Sequence, residues 1–214
     1  MRATAVLPIK RFGTAKSRLS HTLAPAERAA LAEAMLSDVL AALSRAEQLE
    51  RVIVVSGEQR AVAAAREAGV ELIDDPADSG HSQAALLGVA AALAAGAECA
   101  ALLPGDCPLL AADELDAALT TLEPGTAAVV PDRHGSGTNG LLLAPPDAIE
   151  PAFGPGSRER HLARAGEAGV AGRIAEIPSL GLDLDTPDDL AALRRAVGAD
   201  TGRAPATARA LAEL

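Results

Sequence analysis

Short apolar segments alternate with longer segments of helical periodicity along the chain, and this alternation constrains the fold more than any other feature. The predicted strands cover residues 3–9, 51–56, 70–73, 100–103, 127–131 and 140–144. The predicted helices cover residues 26–46, 58–68, 82–95, 112–122, 157–168 and 187–197. Most of the strands are apolar without interruption, which is typical of a mostly parallel sheet with helices on both faces. The sequence therefore predicts an α/β fold, with ligands bound at the carboxyl ends of the strands.

The chain is expected to form one domain over residues 1–198, followed by a C-terminal tail or short helix over residues 199–214. No linker rich in Pro, Gly or Ser divides the sequence, and 21.5 kDa is enough for one sizeable core. Residues 173–177 and 182–184 are further apolar stretches before the last predicted helix. Residues 84–97 form the longest apolar stretch, which is rich in Ala and contains two glycines. This stretch indicates a buried helix rather than a membrane span.

Charge and composition exclude several classes of partner. A net charge of −10 argues against binding to nucleic acid or to an anionic membrane, and an aromatic content of 1% leaves little for base stacking. Cys99 and Cys107 have neither metal-ligand spacing nor a disulfide framework around them, and no hydrophobic segment of signal-peptide length begins the sequence. We therefore expect a cytoplasmic protein. A homodimer is compatible with these properties, although no sequence feature specifies the oligomeric state.

The two lysines of the chain lie in one loop after the first predicted strand. Lys10 and Lys16 are six residues apart, whereas all seventeen other basic residues are arginine. A compact ammonium suits a phosphate ligand where a planar guanidinium has the wrong shape. The loop, residues 8–19, also contains Arg18 and Gly13, and small residues with free backbone N–H groups favour polyphosphate binding. Chance placement in a lysine-poor chain is the alternative.

Two acidic segments are candidate metal ligands. Asp106 follows the fourth predicted strand in a turn with Gly105 and two prolines, and Asp183 and Asp185 precede the last predicted helix. Neither segment has a His or Cys at ligand spacing, so an oxygen-ligated hard cation such as Mg²⁺ is favoured over zinc. If residues 182–185 form a strand, Asp183 and Asp185 point to the same face. Alternatively, Asp106 caps a turn, and Asp183 or Asp185 is a helix N-cap.

Five segments of the sequence resemble the 2-phospho-L-lactate guanylyltransferase family, whose actinobacterial members act as phosphoenolpyruvate guanylyltransferases in coenzyme F-420 biosynthesis. They are residues 8–19, 105–108, 131–140, 153–157 and 182–190, within a similarity that runs from residue 3 to residue 198. The resemblance implies a nucleotide-diphospho-sugar transferase-like fold. It also implies Mg²⁺-dependent transfer of GMP from GTP to phosphoenolpyruvate, with enolpyruvyl-diphospho-guanosine and pyrophosphate as products.

The resemblance also implies roles for individual residues. Phosphoenolpyruvate would bind Thr138, Gly154 and Ser157, and the nucleotide would bind Pro8, Lys10, Lys16, Gly80 and Gln83. Lys16, Arg18 and Asp106 would be catalytic, and Asp106, Asp183 and Asp185 would hold the metal. Members of the family usually have Asn in a Leu-Asn-x-Ala pattern before the helix that follows the third strand. This chain has Gln83 there, one methylene longer, which leaves guanine selectivity open.

Several alternatives remain open from the sequence. Thr138 could be a turn residue and Ser157 an N-cap, whereas a Gly-rich loop before a helix at Ser157 would form an anion site to which His161 adds a donor. His21, His81 and His134 are expected at the surface. The acceptor could be 2-phospho-L-lactate or another small phospho-acid. The chain could also be a non-catalytic nucleotide-binding regulatory module, although both lysines and both acidic segments favour an enzyme. No Gly-x-Gly-x-x-Gly follows the first strand, which argues against a dehydrogenase.

Overall fold

The computed structural model describes residues 1–12, 17–200 and 202–214. Their strands are β1 (Ala3–Pro8), β2 (Leu49–Val55), β3 (Glu71–Ile73), β4 (Cys99–Leu102), β5 (Thr126–Pro131), β6 (Thr138–Ala144) and β7 (Ala171–Ile174). Their α-helices are α1 (Pro25–Leu43), α2 (Gln59–Glu67), α3 (His81–Ala94), α4 (Ala112–Thr120), α5 (Ser157–Ala168), α6 (Pro187–Ala199) and α7 (Pro205–Ala212). Short 3-10 helices cover Ser17–Leu19 and Pro178–Leu180.

The seven strands form one sheet in the order β3-β2-β1-β4-β6-β5-β7. Strand β1 pairs in parallel with β2 and β4, and the pairs β2–β3 and β5–β7 are also parallel. Strand β6 is antiparallel to both of its neighbours, because the short loop from β5 reverses the chain directly into it. The prediction of an α/β fold with a mostly parallel sheet is confirmed.

Helices cover both faces of the sheet, as its apolar strands predicted. Alternate residues of β1 belong to different cores, since Ala5 and Leu7 pack in one and Val6 packs in the other. The first core contains buried side chains of α1, α2, α4, α6 and α7. The second core contains those of α3 and α5. Both faces of the central strands are therefore dry.

Helix α3 lies unusually close to the centre of the sheet. A Cβ atom at Gly88 would lie 2.2 Å from Val6 Cγ1, so only glycine permits this approach. The Ala-rich stretch that includes α3 thus packs on a sheet through small side chains. Within the described ranges, every helix is too short or too polar to cross a membrane.

The structure differs from the sequence-based expectation near the C-terminus. Residues 182–185 adopt no regular secondary structure, so the conditional placement of Asp183 and Asp185 on one face of a strand is wrong.

Helix α7 is anchored to α1 by Asp38, whose Oδ1 and Oδ2 accept from Ala206 N–H at 3.0 Å and Thr207 N–H at 2.7 Å. Asp38 is buried and satisfies two of the N–H groups that a helix start leaves unpaired.

Candidate active site

One cleft of about 1010 Å³ opens along the edge of the sheet at which the parallel strands end. Segments after β1, β4 and β5 line this cleft, together with the start of β6, which reaches the same edge because it is antiparallel. The N-terminal ends of α3, α5 and α6 complete its sides. The location agrees with the general rule for ligand sites in open α/β sheets.

The structure brings together most of the residues that the sequence predicted for the site. The cleft is lined by Pro8, Lys10, Arg18, Gly80, Asp106, Thr138, Gly154, Ser157, Asp183 and Asp185. Gln83 is exposed in the first turn of α3 and does not line the cleft, whereas its neighbour Ser82 does. Lys16 lies outside the described residues. The roles assigned to all these residues stay predictions.

The segment that carries Lys10 is fixed by hydrogen bonds at the end of β1. Ile9 N–H donates to Val55 O at 2.9 Å, and Ile9 O accepts from Ser56 Oγ at 2.9 Å. Phe12 N–H donates to Glu58 Oε2 at 2.9 Å. The chain therefore enters the loop along a defined path, with exposed Lys10 between two anchored residues.

Asp106 lies in a turn that approaches the β1 loop closely. A Cβ atom at Gly105 would lie 2.4 Å from Ile9 Cδ1, which explains the need for glycine before the aspartate. A hydrogen bond also holds the turn in place, because Cys107 Sγ donates to Leu180 O at 3.4 Å. Cys107 is thus buried and structural rather than a surface thiol.

Asp183 is oriented by a residue that no sequence pattern indicated. Buried Asn139 donates from Nδ2 to Asp183 Oδ1 at 3.2 Å and to Leu180 O at 2.8 Å. Asn139 is the second residue of β6, so this contact joins the sheet edge to the segment before α6. A contact between residues 44 positions apart carries no periodic signal in the sequence, although Asn139 lies within the segment that carries the family resemblance.

The N-cap of α6 is Thr186, so the alternative that Asp183 or Asp185 caps this helix is wrong. Thr186 Oγ1 accepts from Asp189 N–H, and Asp189 Oδ2 accepts from Thr186 N–H at 2.7 Å, which forms a capping box. Asp189 also forms an ion pair with Arg133 of the β5–β6 loop. Burial raises the pKa of Asp189, but hydrogen bonds from Thr186 and Asp185 and the charge of Arg133 outweigh burial, so its pKa is lowered.

Negative charge predominates in the described part of the cleft. Its acidic lining residues are Asp78, Asp106, Asp132, Asp183, Asp185 and Asp189, and its Lys and Arg residues are Lys10 and Arg18. A polyphosphate would be repelled by this lining unless cations reduced the charge. Among the described residues, no three or more His, Cys, Asp or Glu side chains are gathered as a preformed metal site.

A connected network of neutral side chains lies at the start of β6 and α5. Ser157 Oγ donates to Thr138 Oγ1 at 3.0 Å, and Thr138 Oγ1 lies 3.1 Å from His161 Nδ1. On the other side of the ring, His161 Nε2 accepts from Ala152 N–H at 2.8 Å. His161 is fully buried and Ser157 is 1% exposed. We call Thr138, Ser157 and His161 the hydroxyl network.

Two of the alternatives for this region are wrong. Thr138 begins β6 and is not a turn residue, and Ser157 is the first residue of α5, with Gly156 as the N-cap. Two N–H groups of the first turn are already bonded, since Ser157 N–H donates to Gly154 O at 3.0 Å and Arg158 N–H donates to Ser136 O at 3.3 Å. Because these N–H groups are occupied, the helix N-terminus has fewer donors left for an anion, and the side chains of the network are the better donors.

Phe153 joins the hydroxyl network to α3. Its ring lies edge-on to His81 at 4.6 Å and to His161 at 5.3 Å between centroids, and Phe153 N–H donates to Ser82 Oγ at 3.1 Å. His81 is thus half-buried against an aromatic ring and lines the cleft, which differs from the expected simple surface position. His134 is exposed but also lines the cleft.

Comparison with known proteins agrees with this architecture. The family model of CofC-like guanylyl transferases matches residues 3–201. The phosphoenolpyruvate guanylyltransferase of Conexibacter woesei is 48% identical over 218 residues, which cover 100% of this chain and 97% of the relative. The enzyme of the same name from Sphaerobacter thermophilus is 41% identical over 191 residues, which cover 89% of this chain and 91% of the relative.

Solved structures with low sequence identity share the fold. A protein of Desulfovibrio desulfuricans G20 assigned as a nucleotide-diphospho-sugar transferase superposes with a TM-score of 0.75 at 18% identity, over 100% of this chain and 95% of that chain. The CMP:2-keto-3-deoxy-manno-octonic acid synthetase complexed with CTP gives 0.62 at 15% identity, over 94% and 100%. The predicted nucleotide-diphospho-sugar transferase-like fold is confirmed. With a family match over residues 3–201 and relatives this similar over more than nine-tenths of their length, the chain belongs to the CofC-like guanylyl transferases.

Proposed function

We propose that this guanylyl transferase moves GMP from GTP to phosphoenolpyruvate and releases pyrophosphate. The product is then enolpyruvyl-diphospho-guanosine, an intermediate suited to coenzyme F-420 biosynthesis. The relatives from Conexibacter woesei and Sphaerobacter thermophilus carry the name of this activity. The observation that carries the proposal is the convergence of Asp106, Asp183 and Asp185 with Thr138 and Ser157 along one cleft.

The reaction needs alignment and charge neutralisation rather than a covalent enzyme intermediate. A phosphate oxygen of phosphoenolpyruvate attacks the α-phosphorus of GTP in line, and the bond to the bridging oxygen of the β-phosphate breaks. Phosphate is already a nucleophile at neutral pH, so the protein's task is to hold two anions in line. Lys10 and Arg18 line the cleft and are suited to the departing pyrophosphate, and Lys16 is proposed for the same role.

The acidic residues fit a hard divalent cation. Asp106, Asp183 and Asp185 offer only oxygen ligands, which Mg²⁺ prefers. Mg²⁺ usually takes one or two protein carboxylates together with substrate phosphates, so it does not require a cage of three protein ligands. When bound, it would offset the negative charge of the reacting phosphates. We propose Asp106 and Asp183 as its direct ligands, with Asp185 as a neighbour that adjusts the local charge.

The hydroxyl network is proposed for the acceptor. Thr138, Gly154 and Ser157 line the cleft around the start of α5. Hydrogen bonds from neutral donors suit a small acid that arrives beside cations held on the carboxylates. Nucleotide contacts are proposed for Pro8, Lys10 and Gly80, and Ser82 takes the place in the cleft that the sequence assigned to Gln83.

A pyrophosphate-release assay tests the proposal. GTP, ATP and CTP are each combined with phosphoenolpyruvate, 2-phospho-L-lactate and 3-phosphoglycerate, and products are identified by mass spectrometry. We expect turnover with GTP and phosphoenolpyruvate, and its loss when EDTA removes divalent cations. Faster turnover with 2-phospho-L-lactate would reassign the acceptor, and nucleotide binding without turnover in any combination would favour a regulatory module.

A further inference from the structure

The hydrogen bonds of His161 define which ring nitrogen carries the proton. A backbone N–H can only donate, so the bond from Ala152 N–H at 2.8 Å requires a lone pair on His161 Nε2. A neutral ring with an unprotonated Nε2 carries its proton on Nδ1. The contact of 3.1 Å between Nδ1 and Thr138 Oγ1 is therefore a hydrogen bond that His161 donates.

This assignment decides the orientation of the Thr138 hydroxyl. Thr138 Oγ1 accepts from His161 Nδ1–H and from Ser157 Oγ–H, which occupies both of its lone pairs. Its own proton must then point away from these two donors. Because Thr138 lines the cleft, the hydroxyl can donate to an acceptor atom of a bound molecule.

The environment of His161 keeps the ring neutral. Burial, followed by the charges of Arg160 and Arg164, lowers the pKa of His161 to about 4. Protonation of Nε2 would also place an N–H against Ala152 N–H. The ring thus holds one proton, at Nδ1, at neutral pH.

We propose that His161 is a positioning residue that fixes the Thr138 hydroxyl as a hydrogen-bond donor to an anionic oxygen of the acceptor substrate. His161 touches no substrate atom in this proposal and acts through Thr138. The inference rests on the proposed function, because it assigns the acceptor to the hydroxyl network. It predicts that the site selects an acceptor with an oxygen anion at the position facing Thr138.

Two substitutions of His161 separate its two hydrogen bonds. In His161→Asn, the side-chain amide nitrogen is bonded to Cγ as Nδ1 is, so the donor to Thr138 is retained and the acceptor for Ala152 N–H is lost. In His161→Gln, the amide oxygen extends to the position of Nε2, so the acceptor is retained and the donor is lost. Glu167→Gln, at an exposed position of the same helix, is the matched control.

We expect His161→Gln to raise KM for phosphoenolpyruvate about tenfold, as the loss of one oriented hydrogen bond would. KM for GTP should stay within about twofold, and His161→Asn should keep KM for phosphoenolpyruvate within about threefold of the wild type. The reverse order, with Asn impaired and Gln normal, would show that only the contact with Ala152 matters and would overturn the proposal. Unchanged KM in both variants would do the same.

A double-mutant cycle decides the case in which both variants bind phosphoenolpyruvate weakly. If His161 acts through Thr138, adding His161→Gln to Thr138→Val should raise KM by less than twofold further. Full additivity would overturn the proposal.

In the wild type at pH 7, long-range ¹H–¹⁵N spectra should show His161 protonated at Nδ1 alone. An imidazolium or a ring protonated at Nε2 would contradict the proposal. These outcomes require only that the wild type turns over phosphoenolpyruvate, and absence of that turnover would instead contradict the proposed function.

Discussion

The carboxylates and the hydroxyl network lie in the same cleft but are built on opposite physical principles. Asp106, Asp183 and Asp185 are charged and at least partly exposed, and they lie on segments without regular secondary structure. The network residues Ser157 and His161 are buried in α5, are neutral, and hydrogen-bond to one another through Thr138. The first group can attract a cation, whereas the second presents a hydroxyl of fixed direction.

This contrast indicates how one cleft can bind two anions. A charged group stabilises developing charge strongly but discriminates little between ligands of different shape. A buried, oriented hydroxyl fixes where a ligand atom can bind and contributes less energy. Changes among the carboxylates should therefore affect turnover first. Changes in the hydroxyl network should affect the acceptor's KM first.

Asp106→Asn should lower kcat by at least about a hundredfold while the fold stays intact, because it removes charge where the reacting phosphates are neutralised. Circular dichroism and steady-state kinetics on the purified variant measure both properties. Asp113→Asn, at an exposed position in α4, is the control and should have the kcat and the circular dichroism of the wild type. Near-normal turnover of Asp106→Asn would remove this residue from the metal site.

Ser157→Ala should raise KM for phosphoenolpyruvate about ten- to a hundredfold and leave KM for GTP nearly unchanged. The substitution removes a donor from a buried network that faces a charged ligand. Ser44→Ala, at an exposed serine, controls for the loss of a hydroxyl. If kcat falls while KM for phosphoenolpyruvate stays constant, the separation between the two groups of residues is not real.

Asp183→Asn should lower kcat about tenfold more than Asp185→Asn. Asn139 holds one oxygen of Asp183, whereas Asp185 is exposed and contacts Asp189 through its backbone N–H. A half-buried carboxylate that a buried amide holds in place suits a metal with a strict geometry. Titration of activity with Mg²⁺ should show a weaker apparent affinity in Asp183→Asn, and equal effects of the two variants would argue against a single direct ligand.

Asp189→Asn should lower the free energy of unfolding by about 1–3 kcal/mol at pH 7, since the neutral amide keeps one acceptor oxygen where the carboxylate has two, so either Arg133 or the capping box loses its acceptor. The lowered pKa of Asp189 means that its contribution is present above the unfolded value near 4 and is lost as pH falls through the lower folded value. The difference between wild type and variant should thus shrink in acid. Urea denaturation from pH 7 to pH 3 measures it, with Asp188→Asn at the exposed neighbour as control.

Asp38→Ala should lower the free energy of unfolding by about 1 kcal/mol and leave kcat and both KM values unchanged. Asp38 accepts from two N–H groups at the start of α7 and does not line the cleft. Thermal denaturation with kinetics in parallel measures the effect, and Glu213→Ala at the exposed end of α7 is the control. Altered kinetics would show that α7 is coupled to the site.

Much of the fold could be predicted from the sequence because strand and helix signals are local. Each of the six predicted strands overlaps an observed strand, and the helix predicted over residues 157–168 has the bounds observed for α5. The sequence indicates only part of strand β7, Ala171–Ile174, as an apolar stretch at residues 173–177. It is short and largely exposed at the sheet edge, so its apolar signal is weak.

The candidate site could be predicted only in part. Turn residues such as Gly105 and Asp106 indicated where the sheet edge lies, because small residues and prolines after a buried strand mark a turn. The partners that fix the site were not predictable, since Arg133 meets Asp189, and Asn139 meets Asp183, across long separations in sequence. Gln83 does not line the cleft for a related reason, because a shift of one residue in a helix turns a side chain by about 100°.

The order of the first six strands, the dry sheet and the residue types that an anion site requires all follow from local sequence patterns. Periodicity, apolar content and turn chemistry are properties of neighbouring residues, so they can be read directly from the sequence. Long-range packing was needed to place β6 between β4 and β5 and to bring Thr138 and Asn139 to the cleft. The same holds for the proton position on His161, because that depends on the N–H of Ala152, nine residues away in sequence, which folding places 2.8 Å from Nε2 of the ring.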